Sequence, residues 1–332
     1  MEQMKGKYGF RSTALVLVIF TFLSSCSKDG AEPGDGLGNG GITLPADLEG
    51  TLLYDWVDEG VLAVDVKTGV KRVFITDDVR GHGYDVSRDG KLRLTAGDIQ
   101  GNYDATQYTL SNTADGGIVS QFTFYPPNGG TKYNNGKLSP DNSLIAISPT
   151  FEEGVIILDT EGKMVVHMEG INDIPFDRND QVEWLPGNTL LFTHGDYILK
   201  AAPPYNQATL VKEMNYESWG DIRASQDGKK LTVRIDKHIY LMNMDDGDLR
   251  QVTESNFTES AAVFSPNGKY LLVGTDYRRT GVFGAIWNLK IIPADGKLYN
   301  VDPIAANSAG VIPVIPLGED KIEAADGIMM WR

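Results

Sequence analysis

From residue 42 onward one short pattern returns. An apolar run stops at a turn closed by Gly or Asn, and a second apolar run starts at once. The turns are Leu48-Glu49-Gly50, Ser87-Arg88-Asp89-Gly90, Ser139-Pro140-Asp141-Asn142, Leu185-Pro186-Gly187, Ser225-Gln226-Asp227-Gly228, Ser265-Pro266-Asn267-Gly268 and Pro316-Leu317-Gly318. Their last residues stand 40, 52, 45, 41, 40 and 50 apart. A repeat of this length built from short strands leaves each unit with an apolar face it must bury on its neighbour. That is the condition of a blade in a ring.

The turn chemistry supports the pattern. Pro presets φ at the first corner, Asp or Asn bonds the nearby backbone, and Gly or Asn accepts the left-handed conformation that ends a tight hairpin. After each turn comes a strand such as Leu144-Ile145-Ala146-Ile147 or Leu271-Leu272-Val273, and then another such as Val155-Ile156-Ile157-Leu158 or Ile239-Tyr240-Leu241-Met242. A second Gly turn and an outer strand follow, as in Asp246-Gly247 before Leu249-Arg250-Gln251-Val252-Thr253. The 37 Gly in 332 residues suit so many turns. The expected class is all-β, a β-propeller of four-stranded blades over residues 42–332.

Ser225-Gln226-Asp227-Gly228-Lys229-Lys230-Leu231, Ile239 through Asp245, Leu249-Arg250-Gln251-Val252-Thr253 and Ala262-Val263-Phe264-Ser265-Pro266-Asn267-Gly268-Lys269 resemble the WD40-like (PD40) repeat of TolB-type propellers. The resemblance implies a fold and not the TolB role, since TolB-like chains carry an extra N-terminal α/β domain. Seven turns predict seven blades, with six the runner-up. The extended piece Ile42-Thr43-Leu44-Pro45 is expected to complete the last blade, because a paired edge does not invite aggregation.

The N-terminus reads as an address. Lys5, Lys7 and Arg11 precede the apolar run 14–23, which is too short to span a bilayer as a helix. Leu23-Ser24-Ser25-Cys26 resembles the bacterial lipobox, in which the thiol of the new N-terminal Cys carries the lipid. Residues 1–25 are then the signal peptide, Cys26 the lipidation site, and 26–41 a Gly-rich tether. The acyl lipid is the only cofactor expected. Ser27 is not the Asp that marks inner-membrane retention, and Ser27-Lys28-Asp29 resembles a short surface-display signal. The expected location is the bacterial outer membrane, lipid-anchored and facing the periplasm or the cell surface.

Charge narrows the partners. The net charge is −15. Cleavage before Cys26 removes Glu2, Lys5, Lys7 and Arg11 and makes it −17. A chain this acidic is ill suited to nucleic acid. One Cys excludes internal disulfides, a Cys-based zinc site and an iron–sulfur cluster. There is no GxSxG nucleophile elbow and no phosphate-binding Gly loop leading into a helix. The acidic strings around Asp173–Asp180 and Asp245–Asp248 do not match an EF-hand.

The uneven loops hold rings beside amides and charges, a usual lining for sugars or peptides. Trp219 is the leading ligand-binding candidate, because it stands just before Gly220-Asp221-Ile222 at the start of an inner strand. Tyr103, Tyr133, Tyr277 and Arg278 follow. Trp184 should be core. None of the four His forms an HxH or HxxxH pair. His82, His194 and His238 lie in loops that a ring can bring to one face as weak metal candidates, as in propeller-type oligogalacturonate lyases, whose motif is not matched here. The favoured reading is a non-catalytic propeller that binds a glycan, peptide or envelope protein. The alternative is a polysaccharide lyase or glycoside hydrolase with its site on the propeller face.

Overall fold

The computed structural model describes residues 37, 43–57, 59–127, 135–149, 154–282 and 284–332, apart from the side chain of Tyr103. Six blades form the propeller. Blades two to five each run outward from an inner strand: Gly83–Val86, Gly136–Leu138, Val182–Leu185 and Trp219–Ala224. In each, the four strands are consecutive in sequence and antiparallel. Blade six begins at Ala262–Phe264 and continues through Tyr270–Arg279, Ala285–Pro293 and Ile312–Pro313. Blade one combines Thr51–Trp56, Gly60–Asp65 and Lys71–Ile75 with an inner strand from the far end of the chain, Met329–Trp331.

The recurring turn has one hydrogen-bond scheme. Ser225 Oγ donates to Asp227 Oδ1 at 2.7 Å and accepts from Lys230 N–H at 2.9 Å, while Asp227 Oδ1 accepts from Lys229 N–H at 3.0 Å. The same bonds are made by Ser87 with Asp89, by Ser139 with Asp141 and by Ser265 with Asn267. A hydroxyl and an Asx oxygen therefore satisfy the amides that the reversal leaves unpaired. The last turn residue takes positive φ: 71° at Gly90, 62° at Asn142, 71° at Gly228 and 68° at Gly268.

Alternation along the strands gives each blade two apolar faces, and buried clusters lie between adjacent blades. Leu94, Tyr108 and Phe124 of blade two meet Ile145, Ile147 and Leu158 of blade three. Leu191 and Ile198 of blade four meet Leu231 and Val233 of blade five. Trp184 is buried among residues of blades three and four, as expected of a core ring.

Two expectations require correction. There are six blades, the runner-up count and not the favoured seven, because the first and last sequence units share one blade. Pro316-Leu317-Gly318 lies in the connection leaving blade six. Ala324–Ala325 pairs with Trp287 and Asn288 of that blade, and Met329–Trp331 then crosses to blade one. Closure is also made by the other end of the chain. Leu52, Leu53 and Tyr54 pair with Trp331, Met330 and Met329. Residues 43–45 form no strand. The N-terminal segment instead caps blade six, where Asp47 accepts from Lys269 Nζ and Tyr270 Oη, each at 2.7 Å.

Candidate functional site

Every inner strand starts on one face of the ring, and the loops joining second and third strands return to that face. The Ser-x-Asx turns mark the opposite face. The topology therefore puts His82, His194, His238, Trp219, Tyr277 and Arg278 on the loop face, along with the backbone of Tyr103 at the start of its strand, Asn102–Asn112. Tyr133 and Cys26 lie outside the described residues.

Trp219 is half-buried, not enclosed between sheets. One side of the ring packs on the cluster between blades four and five. It also lines a cleft of about 750 Å³ with Asp177, Arg178, Asp180, Asp221, Arg223 and Arg234. The Gly220 to Ile222 segment widens the register between the two inner strands of blade five, and Asp221 there adopts φ 54°. The bulge turns Asp221 toward Arg234, whose Nε donates to its Oδ2 at 2.8 Å. Gln181 ties the neighbouring blade to this bulge by accepting from Ile222 N–H at 2.9 Å.

Tyr277 and Arg278 do not join that cleft. Tyr277 stacks on Trp287, with centroids 6.0 Å apart and planes 16° apart, and Arg278 is exposed beside Asp276 at 3.1 Å. They form a separate rim on blade six.

The histidines do not converge either. Each faces its own carboxylate: His82 with Asp98, His194 Nδ1 with Asp180 at 3.3 Å, and His238 Nδ1 with Glu259 at 2.7 Å. Glu259 is fully buried and also accepts from Ser255 and Thr253 hydroxyls. Among the described residues, no group of three or more His, Cys, Asp and Glu is arranged to hold a metal ion.

Behind the cleft runs the axial channel, a cavity of about 250 Å³ lined by all six inner strands. Blades two to five place a charge near the middle of each: Asp85, Lys137, Glu183 and Arg223. Blades six and one present Val263 and Met330. Lys137 Nζ donates to Glu183 and, at 2.8 Å, to Val182 O. Arg223 stands 3.5 Å from the same Glu183. Asp85 accepts from Leu138 N–H at 2.7 Å and pairs with Arg332 at 3.4 Å. Burial pushes the Asp85 carboxyl above its ordinary range against the pull of Arg332. Burial also lowers Lys137 and Arg88, and Glu183 opposes it at Lys137.

These channel residues were missed by the sequence reading. Their signal is a charge flanked by apolar residues in an inner strand, as in Val182-Glu183-Trp184 or Ile222-Arg223-Ala224. It becomes meaningful only once such strands are known to face an axis.

No family profile matches the chain, and no curated protein matches it. Solved structures do resemble it. TolB from Acinetobacter baumannii is 15% identical with a TM-score of 0.58, over 87% of this chain and 68% of that one. A TolB-type protein from Agrobacterium tumefaciens is 16% identical with a TM-score of 0.51, over 75% and 86%. A chain of the nidogen–laminin complex is 10% identical with a TM-score of 0.51, over 74% and 89%. At these identities the likeness is one of fold: a TolB-like, WD40-like β-propeller.

Proposed function

We propose that this chain is a non-catalytic binding propeller. It is held at the bacterial outer membrane by a lipid on Cys26, and it takes a peptide segment of an envelope protein into the cleft at Trp219. The observation that carries this reading is the cleft itself. A half-exposed indole offers a large apolar surface at low entropic cost, and charges of both signs surround it. Charged groups of both signs, such as Arg178, Asp196 and Asp221, match a polypeptide better than a neutral glycan, which offers them no opposite charge. The TolB-like fold supports a binding type of propeller in general.

The test is site-specific photo-cross-linking in the source bacterium. A photoreactive residue at position 179, which lines the same cleft and leaves Trp219 in place, should capture a discrete partner, and one at position 227, on the turn face, should not. Equal capture at both positions counts against the cleft. Cys26→Ala should abolish lipid labelling and release the protein from the membrane fraction, and continued labelling would end that part of the reading. Release of unsaturated or new reducing ends from a polysaccharide by the purified protein would favour the lyase or hydrolase alternative.

A further inference from the structure

The axial channel carries more positive charge than its own carboxylates neutralise. Arg88, Lys137, Arg223 and Arg332 line it with only Asp85 and Glu183. This happens in a chain whose net charge is −15. Glu183 is shared between Lys137 and Arg223. Asp85 serves Arg332. Arg88 forms no ion pair among the described residues and donates only to the carbonyls of Gln226 and Trp184. Arg223 donates through one nitrogen to its own neighbour's carbonyl, Ile222 O. It also lines the cleft, the channel and a third cavity toward blade six, so this side chain stands where these spaces meet.

Gathering four cations around two carboxylates in a confined space is unfavourable, and a bound anion relieves it. We propose that the channel is an anion site, in which a carboxylate or phosphate group enters from the loop face and is held by Arg223 and Lys137. Lys137 is suited to this. Its side chain is 29% exposed although it sits on an inner strand, so its open side faces the lumen. The cavity of about 250 Å³ has room for a solvated anion, given ~30 Å³ per water. A guanidinium from blade five and an ammonium from blade three, flanking Glu183 of blade four, give the fork and the point charge that carboxylate and phosphate recognition use.

The inference deepens the cleft reading and rests on it for the way in. The same chemistry has two sources, a free anion or the terminal carboxylate of a bound peptide. The experiment is calorimetric titration of the full chain at constant ionic strength with inorganic phosphate, and with the peptide Trp-Gly-Gly bearing a free or an amidated C-terminus. Saturable phosphate binding with no gain from the peptide identifies a free-anion site. Tighter binding of the free-acid peptide than of its amide identifies a terminal carboxylate. In either case Arg223→Gln and, separately, Lys137→Gln should weaken binding at least about tenfold. Lys91→Gln, on the opposite face, should leave it unchanged. Absence of saturable binding by every probe, or binding untouched by both channel substitutions, overturns the proposal. If position 179 still captures a partner in that event, only the anion site falls.

Discussion

The Arg88 guanidinium donates to the main-chain carbonyl of Trp184 at 2.5 Å, joining the first hairpin of blade two to the inner strand of blade four across the channel axis. Its other terminal nitrogen reaches Gln226 O of blade five at 2.7 Å. One side chain thus ties three blades at the turn face, and the channel opens toward the loops. Removing it takes the guanidinium donor from two part-buried carbonyls. Arg88→Met should cost on the order of 1–3 kcal/mol, and Arg88→Lys should recover little, because one ammonium cannot span both carbonyls. Urea unfolding reads this directly; a midpoint unchanged in both variants would show that the cross-channel bonds contribute nothing.

Ring closure rests on Trp331, which is fully buried and donates from Nε1 to Glu49 O at 2.8 Å. Trp331→Ala should destabilise by about 3–5 kcal/mol. Trp219→Ala, with part of its ring open to the cleft, should cost clearly less while abolishing capture from the photoreactive residue at position 179. Similar stability losses at both positions would mean that Trp219 is a core ring.

Gly228 and Gly268 share a positive φ, at 71° and 68°, but not their surroundings. A Cβ at Gly228 would lie 2.7 Å from Pro186 Cδ in the turn of blade four, whereas one at Gly268 meets nothing within 4 Å. Gly268→Ala should therefore cost only the left-handed conformation, about 1–2 kcal/mol. Gly228→Ala should cost more, and Lys229→Ala almost nothing. Thermal unfolding should show the largest loss for Gly228→Ala, a smaller one for Gly268→Ala and almost none for Lys229→Ala.

Asp55 gives a pH dependence. It is buried at the closure of blade one, accepts from Ile328 N–H at 3.0 Å, and has Arg80 3.6 Å away. Burial pushes its carboxyl up to about 6. The folded state therefore keeps a proton that the unfolded chain releases near pH 4. This stabilisation is full below about pH 4 and is lost as pH rises through about 6, about 3 kcal/mol in all. The stability difference between wild type and Asp55→Asn should change across that window. A constant difference from pH 4 to 7 would show that Asp55 titrates normally.

The class of fold, the four-stranded unit and the buried role of Trp184 were legible in the sequence, because they follow from local rules. A Ser-x-Asx-Gly turn closes its own hydrogen bonds within six residues, and alternation of apolar residues declares a two-faced strand wherever it occurs. The placement of Trp219 at the start of an inner strand was legible for the same reason. Ring-level features were not. The number of blades and the identity of the closing strand depend on Met329–Trp331 pairing with Thr51–Trp56, a contact across nearly the whole chain that no local pattern encodes. The sequence grouped Tyr277 with Trp219 as candidate binding rings, but Tyr277 stands on blade six against Trp287 and outside the cleft. Lys137, Glu183 and Arg223 lie far apart in sequence and meet only because three blades converge on one axis. Charge at that axis is a property of the closed ring, decided by tertiary structure and not by any one segment.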